Sequence, residues 1–420
     1  MKRGYRKNIG LAITAAVLGG LMSATSVAAR IVPATLQPLV GQGYKPIDDD
    51  ERGLWQSCER LEQDLATSSL QVASPEFSAY TKTIMQRLLG DMAHDIRVFI
   101  MQDADFNASM SPNGMLIVNS GLLVRLHNEA EYAAVLGHEA GHYLRRHNLA
   151  SWRDRRNKTA IIAFVSAGAN LVAGSVVLAG GSASNGQSWI NTANSINNGL
   201  VMSLFRFSRE QESEADAYGL KLLDQAGYSP EAAQAMWQRL SDERRASASA
   251  RGKRYRDSAM SAISTHPPAE ARMLDLATSA REIEAVVVTG RAYRDGRAEW
   301  LAAVAPLRSG LLAEQVKLND PGASLFLVRS LAADGWDGTL HFYEGESYRL
   351  RGEPGDDARA AEAYAASVAS GNPPTEAWRA HGYALLKARR VDEGRAALAH
   401  YLVLQPQATD AAMVRFSLQQ

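Results

Sequence analysis

The sequence predicts a mainly α-helical chain with a small antiparallel β-sheet in its first third and an α-helical repeat region at its C-terminal end. Two short alternating runs, Ile96 to Met101 and Met115 to Val118, give the strand signals, and the turn Pro112, Asn113, Gly114 introduces the second. Around them the apolar residues recur at helical spacing. Beyond about Glu282 the chain becomes Ala-rich and helical, and Gly345 and Tyr348 recur as Gly382 and Leu385, 37 residues further on. That spacing is close to the tetratricopeptide period of roughly 34 residues, with Glu353 to Asp357 able to supply the insertion. Trp378, Gly382, Tyr401 and Pro406 mark the cleaner second unit.

The elements follow in order. Leu54, Leu61 and Leu65 share one side of a charged helix between Asp48 and Leu70, and Ser74, Pro75, Glu76 start a second helix continued by Phe77, Tyr80, Ile84, Leu88 and Leu89. After the two strands, Asn128 caps a further helix. Glu131 completes a capping box, and Arg145 and Arg146 lie near the negative end of the dipole. Residues 159–181 are apolar and free of charge, and read as a membrane span, against which Asn170 and several glycines count, as a buried or loosely packed hairpin beside a site, or as a peripheral contact with a bilayer. Helices then run from about Ser208 to Ala226, closed by Gly227, and from Ser229 to Asp242, followed by an exposed basic loop from Arg244 to Ser258.

Composition narrows the class. At 420 residues, with 46% hydrophobic and 21% charged residues, the chain is globular and long enough for two or three domains, which excludes a disordered or fibrous protein. Lys2, Arg3, Arg6 and Lys7, the apolar run Ile9 to Met22 and the small residues Ala24 to Ala29 read as an export signal cleaved after Ala29. Its loss leaves an excess of four acidic charges, so nothing favours nucleic acid as a partner. Cys58, the one cysteine, cannot form an internal disulfide and is expected half-buried on a helix. The resulting division is 1–29 signal, 30–281 first domain, 282–420 repeat domain.

The chemistry concentrates in His138, Glu139, Ala140, Gly141, His142. Histidines four apart share one helix face, so both imidazoles can reach one metal ion at about 2.0–2.1 Å. Glu139, on the same turn, is placed to act as a base toward an attacking water instead of as a ligand. Tyr132, Val135 and Leu136 put this helix in a core, where two histidines and a carboxylate are costly unless a metal balances them. The acidic run Ser208 to Asp216 offers a third ligand. Glu212 and Asp216 are four apart and fit the roles of ligand and of acceptor for the free ring N–H of a ligand histidine, while Glu210 and Glu214 are expected to face solvent. His147, five residues after His142, falls on another helical face and is expected at the surface.

Three blocks, Gly137 to His142, Ser208 to Asp216 and Ser264 to Arg272, with the strand pair around Asn107, Ala108 and Gly114 to Leu122, resemble the HtpX-type membrane and periplasmic metallopeptidases, most closely their BepA-like branch. The resemblance covers roughly residues 74–276 and, more loosely, the C-terminal repeats. It implies an α+β, zincin-like metallopeptidase domain with one zinc per chain on His138, His142 and Glu212. It also implies endopeptidase activity in the periplasm on misfolded or stalled outer-membrane proteins, action near the β-barrel assembly machinery through the repeats, and chaperone behaviour. The other reading is an assembly adaptor whose zinc site is mostly closed.

Two expectations concern the site's surroundings. His266, before Pro267 and Pro268, either folds over the zinc to gate it or assist the reaction, or caps the next helix. The strand Gly114 to Asn119, if it is a sheet edge, can take an extended peptide by backbone hydrogen bonds.

Overall fold

The computed structural model describes residues 38–158, 207–255, 276–281 and 292–419. The export signal, the apolar stretch 159–181 and His266 lie outside the described residues. Among these residues no helix is long and apolar enough to cross a membrane.

Helices α1 (Asp49–Ala66) and α2 (Pro75–Leu89) come first, each with the side chain of its N-cap, Asp48 or Ser74, accepting a backbone N–H of the first turn. Cys58 on α1 is fully buried, not half-buried, because Leu54 and Leu149 close over it. Strands β1 (Arg97–Met101), β2 (Ala108–Met110) and β3 (Met115–Asn119) form a sheet of order β1-β3-β2. The sheet is mixed, not antiparallel: β1 runs parallel to β3, and only β2 pairs with β3 antiparallel. The Pro112, Asn113, Gly114 turn closes a hairpin between β3 and the three-residue strand β2, instead of joining β3 to the earlier run. Gly114 takes φ 85°, and a Cβ there would meet the Asp95 carbonyl oxygen at 2.4 Å. Strand β3 is therefore the centre of the sheet, which removes it as a docking edge for peptides.

A short turn of helix, α3 (Ser120–Leu123), leads into α4 (Glu129–Leu144). Asn128 caps α4 through the Glu131 N–H at 2.8 Å, but the Glu131 carboxylate accepts from His127 N–H and from Arg239, so the capping box is shifted by one residue. Next come α5 (His147–Lys158), α6 (Arg209–Ala226) and α7 (Glu231–Ala250). Ser208 and Gln211 form a full capping box on α6, and Gly227 ends it in the left-handed conformation at φ 81°. The expected loop after Arg244 is helical to Ala250, because Ala246, Ser247 and Ala250 pack against Gly322 and Ser247 donates to Asp320 at 2.6 Å.

The remaining helices are α8 (Arg297–Val304), α9 (Arg308–Lys317), α10 (Pro321–Leu331), α11 (Gly338–Arg351), α12 (Asp356–Ala369), α13 (Thr375–Lys387), α14 (Val391–Leu404) and α15 (Ala411–Gln419). One apolar core runs from Val40 to Ala377. Trp300 of α8 inserts between Phe77, Tyr80 and Tyr132 and donates its indole N–H to the Leu126 carbonyl at 3.0 Å. Arg125 forms a buried two-pronged pair with Glu243 and donates to Gln315 at 2.7 Å. Buried Glu129 accepts from Tyr80, Arg87 and Tyr228 at 2.6–2.7 Å. Helices α11 and α12 form one pair and α13 and α14 another. The recurring glycines hold matching places, Gly345 against the Tyr364 ring and Gly382 against Leu398 and Gly394.

The contact that positions the site lies between α4 and α6. Gly137 faces Gly219, and a Cβ on Gly141 would come within 2.9 Å of the Ala215 carbonyl oxygen. With no side chains between them, the two backbones touch. Gly219→Leu is expected to lower stability by at least about 1–3 kcal/mol, because the added side chain has backbone on every near side. Gly53→Ala at an exposed position of α1, with open space around it, is expected to raise stability by roughly 0.5–1 kcal/mol. Urea denaturation of both variants checks the pair.

Candidate metal centre

Helix α4 carries His138 and His142 one turn apart on the face that meets α6, and α6 presents Glu212 and Asp216 one turn apart toward them. His138 and His142 approach through Nε2 atoms 3.1 Å apart. Glu212 brings Oε2 to 3.5 Å from His138 Nε2 and Oε1 to 3.8 Å from His142 Nε2. Donors held at about 2.0–2.1 Å on a tetrahedral zinc are separated by roughly 3.3 Å. Two imidazole nitrogens and a carboxylate at these spacings fit that ion, and they are the one such cluster found among the described residues.

His138 gives its Nδ1–H to Asp216 Oδ1 at 2.9 Å, which leaves Nε2 as the lone-pair nitrogen turned to the cluster. Glu139 is buried and lines the same cleft as His138 and Asp216. The cleft is mostly apolar, with Ala108 and Phe106 beside β2 and Val135, Met236 and Trp237 from the helices. A carboxylate in such a wall with imidazoles beside it has the surroundings of a proton acceptor.

Two expectations are corrected here. His147 is buried: its Nδ1 lies 2.9 Å from His142 Nδ1 and its Nε2 lies 3.1 Å from Glu214 Oε2. The helix breaks at Arg145 and Arg146, so spacing counted along a straight helix misplaces it. Burial pulls the His147 pKa down from the usual histidine range, against the opposing pull of Glu214. Glu214 correspondingly does not face solvent; it is half-buried and paired with Arg145 and His147. Glu210 is exposed as expected. Sequence reasoning also missed Phe207, whose ring stacks on His142 at 3.8 Å; β2 is too short to register by alternation and is marked in the sequence only by the family resemblance around Asn107 and Ala108.

The model of peptidase family M48 matches residues 79–280. That segment belongs to peptidase family M48. The M48 segment contains every residue of the cluster together with Glu139, Asp216 and His147. A putative beta-barrel assembly-enhancing protease of Vibrio cholerae is 28% identical over 217 residues, 50% of this chain and 40% of that protein. The beta-barrel assembly-enhancing protease of Escherichia coli is 25% identical over 230 residues, covering 54% and 43% of the two chains. The mitochondrial metalloendopeptidase OMA1 of Schizosaccharomyces pombe is 30% identical over 199 residues, covering 46% and 50%. The chain thus spans half or less of the length of these relatives.

If Asp216 sets the tautomer of His138, Asp216→Ala should weaken zinc binding by roughly 10–100-fold while Glu210→Ala leaves it unchanged. Chelator competition measures both.

Proposed function

We propose that this chain is a zinc-dependent endopeptidase acting on unfolded or misassembled envelope proteins. The observation that carries the reading is the M48 cluster itself, with His138, His142 and Glu212 within ligand spacing of one another and Glu139 in the wall of the same apolar cleft. Zinc bound there would polarise the scissile carbonyl and acidify the attacking water. His138 and His142 present Nε2 lone pairs, and Glu212 adds one negative charge. Asp216 keeps the His138 ring proton away from the cluster. Glu139 accepts the proton of the attacking water and returns it to the amide nitrogen as the peptide bond breaks.

The edge strand beside the cleft is β2. Asn119 N–H donates to the Asn107 carbonyl and Ser111 N–H donates to the Met115 carbonyl, so residues 107, 109 and 111 face β3. The backbone groups of Ala108 and Met110 therefore point outward. Asn148 Nδ2 donates to the Met110 carbonyl at 2.6 Å, which leaves the Ala108 end, next to the cleft, as the place where an extended chain can add. Recognition through backbone groups and a small apolar cleft suits unfolded substrates of varied sequence.

Location in the periplasm rests on the basic, apolar and small-residue order of the first 29 residues. A tetratricopeptide-like role for α11 to α14 rests on the matching places of Gly345 and Gly382 and would supply a docking surface, with the β-barrel assembly machinery as its partner. The names of the Vibrio and Escherichia relatives favour that partner. The adaptor reading draws on the same helix pairs.

Glu139→Gln should keep one zinc per chain and lower cleavage of an unfolded protein such as casein by roughly 10²–10⁴-fold, and chelation of the wild type should abolish it. Cleavage undiminished in Glu139→Gln would contradict the assignment. Full rescue of envelope integrity by Glu139→Gln in a deletion strain would favour the adaptor.

A further inference from the structure

We propose that His147 is a positioning residue for His142, the middle of a relay that runs from His142 through His147 and Glu214 to Arg145 and fixes which ring nitrogen of His142 faces the metal cluster. The inference rests on the zinc-site reading above. For Nε2 of His142 to carry a lone pair toward His138 and Glu212, the ring proton must sit on Nδ1. That N–H donates to His147 Nδ1 at 2.9 Å. The proton of His147 is then on Nε2, where it donates to Glu214 Oε2 at 3.1 Å, and the other oxygen of Glu214 accepts from Arg145 Nε. The opposite tautomers would place a proton on His142 Nε2, facing His138 and Glu212, and would leave His147 Nε2 with no proton to offer Glu214. Each metal-facing histidine therefore has its own partner on the far ring nitrogen: Asp216 directly for His138, and Glu214 through His147 for His142.

The backbone is arranged to make this contact. On a continuous helix each residue turns by about 100°, which carries His147 well away from His142. Instead α4 ends at Leu144, Arg146 adopts φ 56°, and α5 begins at His147. A non-glycine residue in that left-handed region is unfavourable. It is held by the Arg146 guanidinium, which bonds buried Glu51 and lies over the Tyr44 ring at 5.0 Å. Gln211, the capping-box residue of α6, donates from Nε2 to the His147 carbonyl at 3.3 Å. Helix α6 thus holds His147 by its ring and by its backbone while supplying Glu212 and Asp216 to the cluster.

The test uses the full chain, with zinc as the probe of affinity and cobalt(II) as the probe of the ligand field. His147→Leu removes the acceptor for His142 Nδ1–H at similar volume, and His147→Asn keeps an acceptor, since its carboxamide oxygen reaches the same N–H. Chelator competition should show His147→Leu binding zinc roughly 10–100-fold more weakly than wild type, with His147→Asn within a few-fold of wild type. The visible spectrum of the cobalt-substituted protein should shift in the Leu variant and return toward wild type in the Asn variant. Equal affinities and spectra for wild type and His147→Leu overturn the relay, as does equal loss in the Leu and Asn variants, which would mark a packing effect. If His147→Leu does not fold, Glu214→Leu at its half-buried position decides: a several-fold loss of zinc affinity supports the relay, and unchanged affinity overturns it. A wild-type chain that binds no zinc contradicts the metal-site reading itself, and the relay with it.

Discussion

Everything at the candidate site depends on two helix backbones being allowed to touch. Residues Gly137 and Gly141 on α4 and Ala215 and Gly219 on α6 occur at intervals of four, so each pair forms a stripe without bulk along its helix. Interaxial distance is set by the side chains at the contact, and here almost none intervene. The long polar residues beside the stripes, His138 and His142 on one helix and Glu212 and Asp216 on the other, are consequently brought within hydrogen-bonding and ligand distance. A contact lined with Leu would place the same residues several ångströms apart, whatever their identity.

The contact is embedded in a frame of buried charge. Glu129 sits at the first turn of α4, where the helix dipole favours an anion, and gathers Tyr80, Arg87 and Tyr228 around it. Arg125 is matched by Glu243 across two hydrogen bonds, and Glu131 by Arg239. Removing one partner from such a pair leaves an uncompensated buried charge, a change that is strongly destabilising. These pairs, together with Arg294 at 3.1 Å from Glu129, join α2, α4, α7 and the residues just before α8, so the register of α4 is set from several directions at once. Trp300 ties the helices after residue 297 into the same core. The C-terminal helix pairs are thereby built outward from the surface of the M48 region.

Much of this organisation is legible in the sequence. The helix starts at Ser74 and Ser208 and the Asn128 cap are read correctly because capping is local, involving a side chain and an N–H a few residues away. The nearness of His138 and His142 is legible for the same reason, and the four-residue interval on α6 singles out Glu212 and Asp216. What the sequence hides is non-local. The parallel pairing of β1 with β3 depends on β2 taking the hairpin place on the opposite side of β3, and no periodicity marks so short a strand. The burial of His147 depends on a left-handed Arg146, a conformation usually signalled by glycine or asparagine and here stabilised by Tyr44 and Glu51, about a hundred residues earlier. The helical continuation to Ala250 depends on α10, which lies some seventy residues later.

The central claim, that the close contact of α4 and α6 builds one zinc site from His138, His142 and Glu212, is tested most directly by locating the metal. Crystals of the purified protein, measured on either side of the zinc absorption edge, should give one anomalous peak per chain, enclosed by those three side chains. A peak held by other residues, or no peak from protein purified without chelator, would contradict the account.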